Sequence, residues 1–525
     1  MRGTVVFVLL YLATCNAGPH LNGVTGVTCS KRSDCGLVPS LGCLNGTCAS
    51  CVVDADCHDS ASDVSKRCVQ KDGVAQCLDK NVFSPFTAAD VLAAFLAVLA
   101  TAMGAACGIG GGGLLVPLYI IVVGLNPKYA IPLSKATILG GAVATYWSNF
   151  REKHPNASRR PIIDYALAGL MEPMTLIGTI GGVMANAMFP SWLILVLLIL
   201  LLAFVTYRVT LKANKMYAKE NQATPLLLPI NDPMEHANHE RSVTQECIAS
   251  TASVEDEPHY TEAPESTTAS GNTAESIKRQ DILDAEANVF PFKSCILPLL
   301  LCILAILTEA LLRGGHGAAS VVGIACGSAL YWLLIVPPAI LLSHVAYGFA
   351  KRLLRREHLY DQYEIEPVVG DVRWTPSTAY WIFPLQSFIA GIAAALVGIG
   401  GGIVQGPVML EHGVTPLVQS ATASYMILYT STSTTIQYTI AGQFPGALQY
   451  DYVLWYVGLG FLGGLMGKTV VEFLIRKTGR MSYFLYFLAI NSACQAIAMG
   501  YIGIKGVVHD IHVGNSMGFT GLCRG

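Results

Sequence analysis

Gly108-Ile109-Gly110-Gly111-Gly112, with Pro117 nine residues after its first glycine, recurs as Gly398-Ile399-Gly400-Gly401-Gly402, with Pro407 at the same interval. Both anchors shift by 290 residues, so the chain carries an internal repeat. Each motif runs into a short apolar segment and then a turn, Gly124-Leu125-Asn126-Pro127 or Gly413-Val414-Thr415-Pro416. A small, hydroxyl-rich patch follows: Ser134-Lys135-Ala136-Thr137 in the first copy, Ser420-Ala421-Thr422-Ala423 in the second. Glycine costs roughly 1 kcal/mol against alanine inside a helix, so such a run breaks the helix that carries it.

The surroundings decide what a broken helix means. The 525 residues are 53% hydrophobic and 13% charged, about half the charged share of roughly 25% usual in a soluble chain. Stretches such as Trp192 to Tyr207, Gly327 to Tyr347 and Tyr483 to Gly503 approach or reach the length that crosses a bilayer. The reading is an all-α polytopic membrane protein. A net charge of -2 provides no basic face, so nucleic acid is not an expected partner.

At membrane depth, exposed backbone amides are tolerable only against a cavity or other protein. One such glycine run would mean close helix packing. Two at matching offsets point to a transporter's central site, where helix N-termini offer positive dipole ends to an anion. The expected substrate-binding residues are Gly108, Gly110, Gly111, Gly112, Pro117, Ser134, Lys135 and Thr137 in the first half. In the second they are Gly398, Gly400, Gly401, Gly402, Pro407, Ser420 and Thr422. No metal or cofactor is expected.

Met1-Arg2-Gly3, the apolar run Thr4 to Ala13 and Cys15-Asn16-Ala17 read as a signal peptide cut after Ala17. Residues 18–85 hold Cys29, Cys35, Cys43, Cys48, Cys51, Cys57, Cys68 and Cys77 in a segment too poor in Leu, Ile and Phe for a core. Four disulfides are the expected staple of this extracytoplasmic segment. Zinc at Cys48-x-x-Cys51 is disfavoured, because no second pair has zinc spacing. The sequon Asn45-Gly46-Thr47 falls inside it and is expected to carry glycan.

Spans are expected near 88–107, 111–124, 131–150, 165–189, 192–208, 294–313, 327–349, 379–397, 401–411, 419–441, 451–475 and 482–504. Those at 111–124 and 401–411 are too short to cross straight. With the N-terminus outside, the basic loops fall in the cytosol: Arg151 to Arg160, Lys212 to Lys219, Lys351 to Arg356 and Arg476 to Arg480. The sequon Asn156-Ala157-Ser158 then lies on the wrong side and stays bare. The helix before the first motif runs inward and the one before the second runs outward, giving two inverted-topology repeats at 86–212 and 379–505. Additional helices at 291–350 and a cytosolic loop at 351–378 separate them, and residues 506–525 form a C-terminal tail. Residues 213–290, rich in Ser, Thr, Glu, Ala and Asn, read as a disordered cytosolic linker, with Ser266, Thr267 and Thr268 as phosphorylation candidates.

Polar residues inside spans are expensive and so candidates for function. Lys135 either balances an anionic substrate or snorkels to the interface. The run Thr430 to Thr435 with Gln437 either coordinates an oxyanion or bonds back to its own helix. Glu172 suits proton coupling, Lys468 and Glu472 suit mutual neutralisation, and Cys107 reads as a small buried residue.

The run Gly108 to Pro117, Ser134 to Thr137, His154-Pro155, Pro161 to Tyr165 and the second motif with Ser420 to Thr422 resemble the sulfite exporter TauE/SafE family. The likeness is closest to its eukaryotic branch, and covers roughly residues 86–212 and 375–505. It implies a transporter of a small sulfur-containing anion such as sulfite or a sulfonate, with the glycine segments near the site. The anion would move by alternating access, driven by its own gradient or by a coupling ion, proton or sodium, in the plasma membrane or an endomembrane. The competing reading is a cell-surface receptor or adhesion protein that binds through the disulfide segment. An enzyme is not expected, since neither a His-Glu-x-x-His pair nor a Ser/His dyad is present.

Overall fold

Long apolar runs become helices because a bilayer offers the backbone no other partner. The computed structural model describes residues 28–30, 42–57, 66–71, 74–79, 82–83, 86, 88–106, 108–125, 127–223, 269–314, 320–368, 370–398, 400–440, 444, 449–478, 482–513 and 519. In chain order, the helices of the first half are α1 (Ala88–Ala106), α2 (Gly112–Ile121), α3 (Pro127–Asn149), α4 (Tyr165–Met188) and α5 (Ser191–Ala223). A middle group follows: α6 (Ala269–Glu286), α7 (Leu297–Arg313), α8 (Ala329–Leu333) and α9 (Val336–Gln362). The second half holds α10 (Phe383–Val397), α11 (Gly402–Glu411), α12 (Pro416–Ile440), α13 (Gln449–Thr478) and α14 (Ser482–Val513). By length and composition, 8 of the described helical segments can cross a membrane. The protein is a multi-pass, mostly helical membrane protein. Helices α3 and α12 are of similar length but more polar, since they carry the hydroxyl-rich patches.

The expected linker is narrower than residues 213–290. Helix α5 continues to Ala223 and α6 is helical from Ala269, while residues 224–268, with Ser266, Thr267 and Thr268, lie outside the described residues. So do the proposed signal peptide, Cys35 and Cys107. The expected span 327–349 is interrupted after α8 and then runs on to Gln362, and the last span runs on to Val513.

Contacts at the helix ends sort into two groups. At one end, the Val82 N–H donates to Asp451 Oδ2 at 3.1 Å, Phe83 meets Trp455 at 5.4 Å, and Phe189 meets Phe519 at 5.7 Å. At the other, Arg160 pairs with Asp371 at 2.6 Å and Glu286 at 3.4 Å, Lys468 lies 3.5 Å from Glu152, and Glu220 accepts from the Ser482 amide at 3.0 Å. Lys468 also donates to the Ser148 carbonyl at 2.6 Å. Its expected partner Glu472 has a side chain outside the described set.

The N-terminal segment is built of two hairpins, β1 (Gly42–Leu44) with β2 (Thr47–Ala49) and β3 (Lys66–Lys71) with β4 (Val74–Asp79). Asn45 and Gly46 turn the first hairpin in left-handed conformations, with φ of 49° and 80°. Cys29 and Cys43, Cys51 and Cys68, and Cys57 and Cys77 stand at disulfide separation, with Cα–Cα distances of 5.8, 5.8 and 5.5 Å. Cys48 is also bridged, and so is Cys326, between α7 and α8.

Lipid tails are as apolar as side chains, so helices associate through close packing. Helix α13 lies against α3 and α1 through Gly460, Gly463, Gly464 and Gly467, and α4 meets α10 through Gly178, Gly182 and Gly391. A Cβ at Gly460 would overlap the Thr137 carbonyl, whereas one at Gly458 would meet open space. Gly460→Leu is therefore expected to cost about 3 kcal/mol or more, and Gly458→Leu to be neutral. Thermal unfolding of the two variants in detergent measures the difference.

Candidate functional site

The two glycine motifs part α1 from α2 and α10 from α11, and each short helix turns back toward the end where its long partner began. Tyr119 on α2 packs on Tyr456 at 4.8 Å, one turn from Tyr452 and Asp451. His412, at the end of α11, packs on Phe383, the first residue of α10, at 4.7 Å. The first turn uses three left-handed glycines, Gly108, Gly110 and Gly111, with φ of 67°, 80° and 78°. In the second motif Gly398 is left-handed at φ 75°, while Gly401 is right-handed at -54°. The same sequence therefore makes two different turns.

The breaks touch. A Cβ on Gly400 would overlap the Ile109 carbonyl, one on Gly402 the Gly108 carbonyl, and one on Gly108 would stand 2.7 Å from the Ser420 carbonyl oxygen. Several carbonyls freed by the breaks are satisfied, three of them by the opposite half. Ser420 Oγ donates to the Ala106 carbonyl at 3.2 Å, and Ser134 Oγ to the Gly398 carbonyl at 2.9 Å. Asn186 donates to Leu396 at 2.7 Å, and Tyr438 to Ala395 at 3.3 Å. The N–H ends are treated differently. Neither Gly111 nor Gly401 caps its short helix with a side chain, and the Gly112 and Gly113 amides have no acceptor among the described residues. Open amides at a helix N-terminus carry a partial positive charge. A cavity of about 10 Å³ beside Gly110, bordered by Thr101, Thr145 and Ser424, holds about one water-sized group.

The other expected site residues divide. Gly110, Gly111, Gly112, Gly400, Gly401 and Gly402 lie at the two breaks, and Pro117 and Pro407 sit within the short helices. Lys135 is 1% exposed, so it does not snorkel into water. Thr137 is occupied by Tyr119, whose hydroxyl lies 2.6 Å away, and by the Leu133 carbonyl. Thr422 accepts from the Asp164 amide at 3.0 Å, at the N-terminus of α4, and so faces a different side of α12 from Ser420. Most hydroxyls in the run Thr430 to Thr435 bond to their own helix one turn back, as Ser431 does to Ile427 and Thr434 to Thr430. Thr430 also reaches across, donating to Glu172 Oε1 at 2.7 Å. Glu172 is fully buried and its Oε2 has no hydrogen-bond partner among the described residues.

Sequence reasoning passed over several buried amides. Gln405 donates to Thr175 at 2.5 Å, one turn along α4 from Glu172. Gln419 lies against Gly406 of α11, while Gln495 lies against Gly113 of α2 with Asn491 one turn earlier. The signal was available: amide side chains in apolar spans are costly.

Beyond the charged end of the bundle, the β5 (Lys153–His154) and β6 (Ala157–Pro161) hairpin, the end of α6 and the loop before α10 enclose about 180 Å³. Burial, and then the Arg160 cation, hold the His154 imidazole below its ordinary value, although Asp371 and Asp164 pull it up.

Residues 93–244 and 309–494 match the family described as Sulfite exporter TauE/SafE. Among curated proteins, "Sulfite exporter TauE/SafE family protein 3" of Arabidopsis thaliana is 30% identical, covering 83% of both chains. Family protein 2 of the same plant is 28% identical over 83% of this chain and 88% of its own. No solved structure matches. A match across most of the membrane core, with relatives aligned through both halves, means that the chain belongs to the sulfite exporter TauE/SafE family of membrane transporters, not enzymes.

Proposed function

We propose that the protein is a secondary transporter of a small oxyanion, sulfite or a related sulfonate, working by alternating access between two halves of inverted topology. The observation that carries this reading is the treatment of the breaks: several freed carbonyls receive side-chain donors, while the Gly112 and Gly113 amides that open α2 have no acceptor among the described residues. An anion is the ligand such an arrangement favours. The names of the Arabidopsis relatives support sulfite as the first candidate. Opposite senses for α1 and α10 support the inversion, since α1 begins beside the Val82 and Asp451 contact and α10 near the Arg160 and Asp371 end.

Glu172 is the proposed proton carrier. Among the described residues its hydrogen-bond partner is Thr430, and the packed helix α10 has no titratable side chain between Phe383 and Val397. Tyr429 of α12 and Cys302 of α7 are the titratable groups facing it. A carboxyl at this depth is costly to keep and so is a candidate for coupling.

Full-length protein in proteoliposomes is expected to take up labelled sulfite in preference to sulfate in a panel that includes sulfoacetate, taurine and thiosulfate. Gly400→Leu, forced into the Ile109 carbonyl, is expected to lower uptake about tenfold or more, while Gly458→Leu keeps it. Wild-type uptake with unaltered Gly400→Leu uptake sinks the glycine site.

Glu172→Gln is expected to keep anion counterflow, which moves no net proton, yet to lose acceleration by an imposed pH gradient. Retained acceleration removes Glu172 from coupling.

The proposed orientation puts Asn45 outside and Asn156 in the cytosol. Glycosidase treatment of protein from eukaryotic cells is expected to shift its mobility, and Asn45→Gln to abolish that shift. A persistent shift that needs Asn156 reverses the orientation.

A further inference from the structure

Two buried amides sit where α14 passes the first break. Asn491 and Gln495 are both 0% exposed, and none of their four amide atoms has a hydrogen-bond partner among the described residues. Interiors seldom tolerate this, because an unmade buried hydrogen bond costs the full desolvation of the group. The two lie four residues apart on one face of α14, about 6 Å along its axis.

Their neighbour is the open end of α2. A Cβ on Gly113 would overlap Gln495 Oε1, so the absence of a side chain there is what admits the amide to the first turn. Met499, one turn further on, shares a small cavity with Val116 and Ile120, one and two turns along α2. The helices therefore run parallel, and Asn491 falls below the first turn of α2, level with the glycine break. The Gly112 and Gly113 amides in that first turn have no acceptor among the described residues. α11 repeats part of this arrangement: the Gln419 amide, also buried and unpartnered, lies against Gly406.

We infer that Asn491 and Gln495 are substrate ligands, which with the Gly112 and Gly113 amides grip the monoanionic sulfo group of the transported compound. The inference rests on the transporter reading above and deepens it by giving the head group its donors. Four neutral donors match three oxygens sharing one negative charge. Desolvating a second charge is costlier for neutral donors, so the site is expected to favour a monoanionic head group over sulfate. Binding by neutral donors is also weak enough for release, as a transporter requires.

The test uses the full chain as wild type, Asn491→Leu and Gln495→Leu, with Gln495→Met in reserve should a leucine variant not accumulate. Each is measured for sulfite and sulfoacetate uptake in proteoliposomes and for thermal unfolding in detergent with and without anion. Expected for each variant is a KM raised about tenfold or more, with loss of the anion-induced rise in Tm that wild type shows. Without anion, the variants should unfold at the same or a higher temperature, because an unpartnered amide has been replaced by an apolar group of similar size. A wild-type KM in both variants overturns the proposal while leaving transport standing. A lowered Tm without anion also overturns it, since the amides then serve the fold. Wild type that is stabilised by anion but moves none sinks the transport reading and leaves the site. Wild type that neither binds nor moves either anion sinks both.

Discussion

In a bilayer every backbone N–H and C=O must find a partner inside the protein, and the two helix breaks concentrate the places where this chain cannot meet that demand locally. The solution is unequal. Carbonyls left by α1 and α10 receive Ser420, Ser134, Asn186 and Tyr438. Three of these donors, Ser420, Ser134 and Asn186, come from the opposite half, so closing one break requires the other half to be in position. Amides at the short-helix N-termini receive no such cap. What is structural and what is available to a ligand are thus separated by the sign of the backbone dipole.

Glycine serves two purposes in this architecture. At Gly108 and Gly398 it supplies a left-handed turn. At Gly391, Gly400, Gly402 and Gly460 it admits a neighbouring backbone so closely that any side chain would overlap it. Because Gly400 and Gly402 meet the carbonyls of Ile109 and Gly108, the two breaks are in direct backbone contact. A shift in one is felt by the other without an intervening side chain, as rigid packing demands.

The helices were legible because their signals are strong and local: long apolar runs, charged ends and a glycine motif repeated at a fixed offset. The extension of α5 to Ala223 and of α9 to Gln362 was not, because beyond the apolar stretch both helices continue on polar residues with no breaking signal. Ser134 and Ser420, expected as substrate ligands, stand at the breaks, where their hydroxyls donate to the Gly398 and Ala106 carbonyls. They cap carbonyls, and a hydroxyl that donates there is not free to donate to an anion. Thr422 was misplaced because a hydroxyl-rich patch was treated as one face, although Thr422 lies about 200° around the helix from Ser420 and points to Asp164. The amides of Gln419, Asn491 and Gln495 were overlooked since they form no motif with the glycine runs along the sequence, and they matter because none of their amide atoms is satisfied among the described residues.

The two breaks also differ in what surrounds them, and that difference bears on coupling. Around α11 stand Gln405, Thr175 and, one turn away on α4, the carboxyl of Glu172. Around α2 stand two neutral amides and no carboxylate side chain among the described residues. A proton and an anion proposed to bind at these places would occupy separate sites, since a carboxylate beside the anion would repel it. Separate sites can still be coupled, provided that both act on one moving part. The contacts of Gly400 and Gly402 with Ile109 and Gly108 supply it: a ligand that shifts either short helix presses directly on the backbone of the other break. Coupling in such a transporter needs no chain of side chains between the sites, only two helix ends that cannot move past each other independently.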